Sequence, residues 1–133
     1  MIAVSRFVVT ALDEPAFVEQ AGVAVAALAA RPGFVRAHVG RALDDPSAFL
    51  LQTQWSDVGS YRRALSSMDV KIAAVPLLSR ALDEPSAYEI LLAADGSGTV
   101  RSASDRAADA ATVGLGALPP PSPDTRPAGS GGR

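Results

Sequence analysis

The chain contains no cysteine and only one histidine, His38, and both shortages exclude kinds of site. Without cysteine it can form neither a disulfide nor a thiolate metal site. A lone imidazole cannot build a multi-histidine metal centre within one chain. The acidic pairs of the sequence stand at expected turns and helix starts, so we expect no metal site.

The chain also lacks a strong charge of either sign and a long hydrophobic run. It has 12 basic and 14 acidic residues, a net charge of −2. This balance attracts neither nucleic acid nor an anionic membrane surface. No apolar run approaches the roughly 20 residues that span a bilayer. Arg6 interrupts the apolar N-terminal stretch, so this stretch does not have the pattern of a signal peptide. We therefore expect a soluble, cytoplasmic protein with no nucleic-acid or membrane partner.

The composition changes near residue 93. Residues 1–93 are apolar and patterned, whereas residues 94–133 consist mostly of glycine, serine, alanine, proline and aspartate, without an aromatic side chain. Such a segment buries too little apolar area to offset its ordering entropy. We predict one folded domain, 1–93, followed by a disordered tail, 94–133.

The folded part reads as β-α-β-β-α-β. Arg31-Pro32-Gly33 ends the first helix, because proline cannot continue a helix and glycine tolerates a left-handed cap. Ser56 can cap the second helix. The predicted strands are Ile2–Thr10, Phe34–Arg41, Phe49–Trp55 and Ala87–Leu92.

This order predicts the α+β, ferredoxin-like fold, a four-stranded antiparallel sheet with both helices on one face. Strands one and three offer apolar side chains to both faces, as in Val4 and in Leu50-Leu51. The face without helices then needs a second cover. A homodimer that stacks two sheets would supply it.

The chain resembles the antibiotic biosynthesis monooxygenase family over roughly residues 2–92. The residues that carry the resemblance are Pro32-Gly33-Phe34, the Asp44-Asp45-Pro46 turn, Trp55 and Tyr61. Members of that family form dimeric α+β barrels, and several oxidise aromatic phenols or quinols with O₂ and no cofactor. The resemblance therefore implies a homodimer that uses no cofactor and acts on a small aromatic molecule.

Two positions depart from the family pattern. Many members carry a histidine where this chain has Ala64, and the cofactor-free oxygenases carry an asparagine where it has Leu51. Strand one also lacks the asparagine of haem-degrading relatives, so haem cleavage is not expected.

The candidate catalytic residues are His38 and Tyr61. His38 is the only side chain whose ordinary pKa lies near 7, which suits a general base; the alternative is a structural strand histidine. Tyr61 can donate its hydroxyl to a substrate carbonyl, and with Trp55 it would line a pocket for a flat ligand, as the resemblance implies. The alternative is that both aromatic residues belong to the core.

Three further residues are candidates for substrate binding. Gln52 and Gln54 share the strand face opposite Trp55 and could hydrogen-bond a ligand or bridge a dimer. Arg36 could orient an anionic substrate or lie on a solvated face.

The sequence leaves three functions open. The first is a cofactor-independent monooxygenase that acts with O₂ on an aromatic phenol, anthrone or quinol. The second is a non-catalytic ligand-binding or dimerisation module of the same fold, which Ala64 and Leu51 favour. The third is an aromatic polyketide cyclase or isomerase, because fold alone does not decide the chemistry.

Overall fold

A computed structural model describes residues 1–102 of the protein, and none of their helices is long and apolar enough to cross a membrane. A four-stranded antiparallel sheet in the order β2-β3-β1-β4 carries the helices on one face, which confirms the predicted α+β, ferredoxin-like fold. The elements are β1 Ile2–Val8, α1 Glu14–Ala29, β2 Phe34–Arg41, β3 Ala48–Trp55, α2 Val58–Ser66, α3 Met68–Ala73, α4 Val75–Leu78, β4 Ala87–Tyr88, β5 Leu92–Asp95 and β6 Gly98–Arg101.

The strand register assigns each sheet residue to one of two faces, because residues directly opposite each other in an antiparallel pair point to the same side. The helix-covered face carries Ala3, Ser5 and Phe7 of β1 opposite Thr53, Leu51 and Phe49 of β3. The open face carries Ile2, Val4, Arg6, Arg36, His38, Leu50, Gln52 and Gln54.

Aromatic rings fill the core between α1 and the helix-covered face. The Phe17 ring lies 5.1 Å from the Phe7 ring and 5.2 Å from the Phe49 ring, centroid to centroid. These tilted geometries suit the quadrupoles of aromatic rings. Phe17 belongs to the periodic stripe of α1 that also buries Ala21, Ala24 and Leu28.

The open face is less apolar than the sequence suggested. Leu50 is followed on this face by Gln52 and Gln54, and Val4 by Arg6. Leu50 and Leu51 therefore make only a short part of β3 apolar on both faces. The rest of the open face carries both apolar and polar side chains.

A β-bulge separates Phe34 from the rest of β2. Phe34 pairs with Trp55, whereas Arg36 already pairs with Gln54 on the open face. The Phe34 ring meets the Trp55 ring edge to face at 5.4 Å, inside the core. With strict alternation Phe34 would lie on the same face as His38, the open face. The extra residue of the bulge places Phe34 on the helix-covered face instead.

The C-terminal part of the described chain differs from the prediction. The last strand of the sheet comprises only Ala87–Tyr88, and 92–101 form a separate hairpin, β5–β6. Its turn uses Gly96 and Ser97, and the Asp95 carboxylate accepts hydrogen bonds from the backbone N–H and hydroxyl of Ser97. Residues 94–101, which the composition assigned to the tail, thus belong to the two strands and the turn of this hairpin. The remainder of the predicted disordered tail, 103–133, lies outside the described residues.

Candidate functional site

Trp55 and Tyr61 meet at the corner where β3 leads into α2. The Asp57 carboxylate, rather than the Ser56 hydroxyl, caps α2 by accepting a hydrogen bond from the Ser60 N–H at 2.7 Å. Tyr61 follows in the first turn of the helix. Its ring lies 5.8 Å from the Trp55 ring, so the structure brings together the two aromatic residues singled out in the sequence.

Gly33 fixes the position of this corner. Its φ of 88° lies in the left-handed region, and a Cβ at this position would overlap the Ser60 side chain of α2. The Gly33 carbonyl also accepts a hydrogen bond from the Ser56 N–H at 2.8 Å. The glycine therefore lets the turn after α1 approach the start of the helix that carries Tyr61.

Trp55 is a core residue, and its ring packs against the Tyr61 ring. Only 1% of its surface is exposed, and its indole N–H donates to the Thr53 hydroxyl at 2.9 Å. Its polar group is thereby satisfied within the protein. It lines neither of the two spaces described next, so its contact with a ligand would pass through Tyr61.

Tyr61 lies between a small cavity and an open groove. The cavity, of about 10 Å³, is lined by Ala3, Ser5, Leu28, Leu51, Thr53, Tyr61, Leu65 and Leu78. The groove, of about 550 Å³, shares Ser5, Tyr61, Leu65 and Leu78 with it. Burial raises the pKa of the Tyr61 phenol above its usual value of 10, so at neutral pH the hydroxyl is protonated and can donate. Among residues 1–102 that hydroxyl has no hydrogen-bond partner in the structure.

The outer wall of the groove is the segment that leads into β4. The Leu82 N–H donates to the Arg6 carbonyl, and the Val4 N–H donates to the Ser86 carbonyl, so both ends of this segment are tied to β1. The Arg6 guanidinium donates to both oxygens of Glu84, at 2.6 and 2.7 Å. These bonds hold the wall at a fixed distance from Tyr61.

His38 lies on the open face, on the other side of the sheet from Tyr61. It is exposed, and its Nδ1–H donates to the Gln52 side-chain oxygen at 2.9 Å. Within one chain, therefore, the two predicted catalytic residues do not face the same space. A base that serves a ligand beside Tyr61 has to come from elsewhere.

Arg36 and Gln54 are directly opposite each other on the open face, next to the pair of His38 and Gln52. They border a wide cleft of about 930 Å³ between this face and the β5–β6 hairpin. Every residue of the hairpin strands is exposed, so no buried side chain of β5 or β6 contributes to the cleft. The six predicted site residues thus divide into Trp55 and Tyr61 on the helix-covered face and the other four on the open face.

The two positions that depart from the family pattern are both buried. Leu51 is 2% exposed and lines the small cavity, and Ala64 is 1% exposed in the core. The polar lining of the cavity instead comes from hydroxyls, and one of them belongs to Ser5, which pairs directly with Leu51. The sequence reasoning overlooked Ser5. The available signal was its position between Ala3 and Phe7, as a polar residue on the apolar side of strand one.

The sequence model of the antibiotic biosynthesis monooxygenase family matches residues 1–74, more than half of the chain and the whole region from β1 to α3. The chain belongs to this family. No curated protein matches the chain significantly.

Several solved structures are similar to this family member. The cofactor-independent oxygenase SnoaB from Streptomyces nogalater is 27% identical, over 61% of this chain and 82% of SnoaB, with a TM-score of 0.54. A conserved protein from Methanosarcina mazei is 22% identical, over 65% and 84% of the two chains, with a TM-score of 0.54. Rv0793 from Mycobacterium tuberculosis is 13% identical, over 65% and 86%, with a TM-score of 0.51. The last two likenesses concern the fold.

Proposed function

We propose that this protein is a cofactor-independent monooxygenase that acts with O₂ on an electron-rich aromatic substrate, such as an anthrone or a quinol. The observation that carries the proposal is the Tyr61 phenol, which is protonated and without a partner among the described residues at the inner end of an apolar groove. The likeness to SnoaB, a cofactor-independent oxygenase, supports the same class of reaction.

The chemistry requires little of the protein. A deprotonated anthrone or quinol passes one electron to O₂, and the resulting radical and superoxide combine into a peroxide anion. This anion takes up a proton from water to give the hydroperoxide. Loss of water then leaves a carbonyl, so one oxygen atom enters the substrate and the other leaves as water. Tyr61 would stabilise the negative charge on the substrate oxygen by donating to it, and the neighbouring Leu65 and Leu78 would reduce the contact of that oxygen with water. The substrate proton would leave through the open side of the groove, whose lining includes the Asp83 carboxylate.

The test is O₂ uptake with a panel of anthrones and naphthoquinols, with and without protein. Tyr61→Phe keeps the ring and removes the donor, so turnover should fall by roughly tenfold or more. Tyr88→Phe is the matched control, because the Tyr88 hydroxyl is exposed and donates to the Pro85 carbonyl. Uptake that is equal in both variants would refute the role of Tyr61.

A non-catalytic binding module is the second candidate, and the buried Leu51 and Ala64 favour it. In catalytic relatives these two positions carry functional side chains, whereas in this chain both hold buried apolar residues. A protein that binds flat aromatic molecules at the groove but consumes no O₂ with any member of the panel would favour the module.

We also propose that the protein is a homodimer that covers its open face. Leu50 is 36% exposed on this face, and the adjoining hairpin exposes Leu92 and Val100 at 58% and 64%. Leu50→Glu should therefore shift the protein toward the monomer in sedimentation equilibrium. Leu43→Glu, at a fully exposed leucine of the β2–β3 turn, is the matched control. A wild type that is monomeric at micromolar concentration would contradict the proposal.

A further inference from the structure

Ser5 lines the same two spaces as Tyr61. Ser5 lies on the helix-covered face, opposite Leu51, and it lines both the small cavity and the groove. In residues 1–102 the structure assigns it no side-chain hydrogen bond. Ser5 is partly buried and its hydroxyl is still in contact with water, so a ligand that displaces this water has to supply a hydrogen bond in its place.

The surroundings of these two hydroxyls are apolar. The shared lining of the cavity and the groove consists of Ser5 and Tyr61 with Leu65 and Leu78. The third hydroxyl of the cavity, on Thr53, already accepts a hydrogen bond from the indole N–H of Trp55. At this point of the groove the Ser5 and Tyr61 hydroxyls stand among apolar side chains, and a few polar groups in such surroundings fix the orientation of a ligand by its polar atom.

The size of the cavity restricts what that polar atom can be. A volume of about 10 Å³ holds a group no larger than one water molecule. It cannot admit a ring, a carboxylate or a phosphate. A single carbonyl or phenolate oxygen at the rim of a flat ring system fits, with the rings left in the groove of about 550 Å³.

We propose that Ser5 and Tyr61 form a two-hydroxyl subsite that binds one carbonyl or phenolate oxygen of a planar aromatic ligand. This subsite rests on the proposed function for its ligand class, and it adds a residue and an orientation: the oxygen enters the cavity between β1 and α2, and the rings lie along the apolar groove. A ligand with the same rings but no such oxygen leaves both hydroxyls without a partner and binds more weakly.

The test compares 1-tetralone with tetralin, which share a ring skeleton and differ by one carbonyl oxygen. Neither is oxidised under the conditions, so binding is measured apart from any oxygenase activity. Titrations followed by backbone amide shifts in ¹⁵N–¹H NMR spectra give both dissociation constants. The wild type should prefer tetralone by about tenfold, a difference typical of one or two hydrogen bonds.

Ser5→Ala should lower that preference by about threefold or more. Ser79→Ala is the matched control: Ser79 also lines the groove, but its hydroxyl donates to the Pro76 carbonyl at 2.8 Å. Thermal unfolding verifies that each variant is folded. An unchanged preference in Ser5→Ala, or no binding of either probe at millimolar concentration, would overturn the subsite.

The two proposals can fail separately. If the preference for tetralone depends on Ser5 but no anthrone or quinol stimulates O₂ uptake, the subsite stands and the oxygenase function falls. If O₂ uptake proceeds and Ser5→Ala leaves both the preference and the KM unchanged, the oxygenase function stands and the subsite falls.

Discussion

The two faces of the sheet are made from alternating residues of the same strands, yet they bury very different groups. Phe49 is 5% exposed and packs against Phe17, whereas its neighbour Leu50 is 36% exposed on the other side. The helix-covered face holds the core, the cavity and Tyr61. The open face holds His38, Gln52 and two arginines. In this fold, a change of one position along a strand therefore moves a residue from the core and the candidate site to the exposed face of the sheet.

The comparison also separates two kinds of polar group. On the open face His38 and Gln52 satisfy each other, and on β1 Arg6 is satisfied by Glu84. On the helix-covered side, the partly buried Ser5 and Tyr61 have no such side-chain partner among the described residues. Unpaired polar groups in an apolar site are the stronger indication of ligand binding.

Truncation of adjacent residues in β3 should show the largest difference between the faces. Phe49→Ala removes a ring from the packed core and should cost about 3–5 kcal/mol of the free energy of unfolding. Leu50→Ala should cost about 1 kcal/mol or less in a dilute monomer. Urea unfolding of both variants at two protein concentrations measures this. A cost at Leu50 that grows with concentration would mean that a second copy covers the open face, while equal costs in dilute solution would contradict the division between the faces.

Gly33→Ala should cost about 2 kcal/mol or more, because alanine is strained at a φ of 88° and its Cβ overlaps Ser60. Gly40→Ala in β2 is the control, since its nearest neighbour to an added Cβ, in Leu50, is at an ordinary 4.0 Å. Thermal unfolding distinguishes them. Similar stability of the two variants would show that the turn at Gly33 can relax.

The sequence was sufficient for the order of the main strands, because period-two patterns and the turn residues at Pro32-Gly33 act locally. The expectation that Trp55 lies beside Tyr61 came from the resemblance to the family. It could not reveal the bulge that turns Phe34 into the core, since a bulge depends on how β2 meets β3. It also missed the hairpin at 92–101, whose small and polar residues resemble a linker in composition. Ser5 was overlooked because its value comes from the cavity around it, which a strand pattern does not describe.

The separation of His38 from Tyr61 predicts that the two residues act independently. His38→Gln keeps a hydrogen-bonding side chain on the open face, so O₂ uptake should change by less than about twofold, while Tyr61→Phe lowers it by roughly tenfold. The pH–rate profile of His38→Gln should retain the shape of the wild-type profile. Loss of a limb of the profile in that variant would instead indicate that His38 reaches the substrate, through a second copy of the chain.

The smallest expected effect concerns the groove wall at low pH. Hydrogen bonds from Arg6, with its charge, lower the pKa of the Glu84 carboxyl below its usual 4.5. A carboxyl whose pKa is lower in the folded state stabilises the fold above its unfolded pKa, and that contribution is lost as the pH falls through the folded value. Glu84 is charged and paired at pH 7, so affinity for a groove ligand should be constant from pH 7 to about pH 5 and should decline at lower pH as the wall loosens.

Glu84→Gln removes the titrating group and should flatten this decline, while Glu89→Gln, a substitution outside the groove lining, should keep it. A decline that is identical in Glu84→Gln and the wild type would show that the link between Arg6 and Glu84 does not hold the wall, and that the backbone bonds at Leu82 and Ser86 suffice.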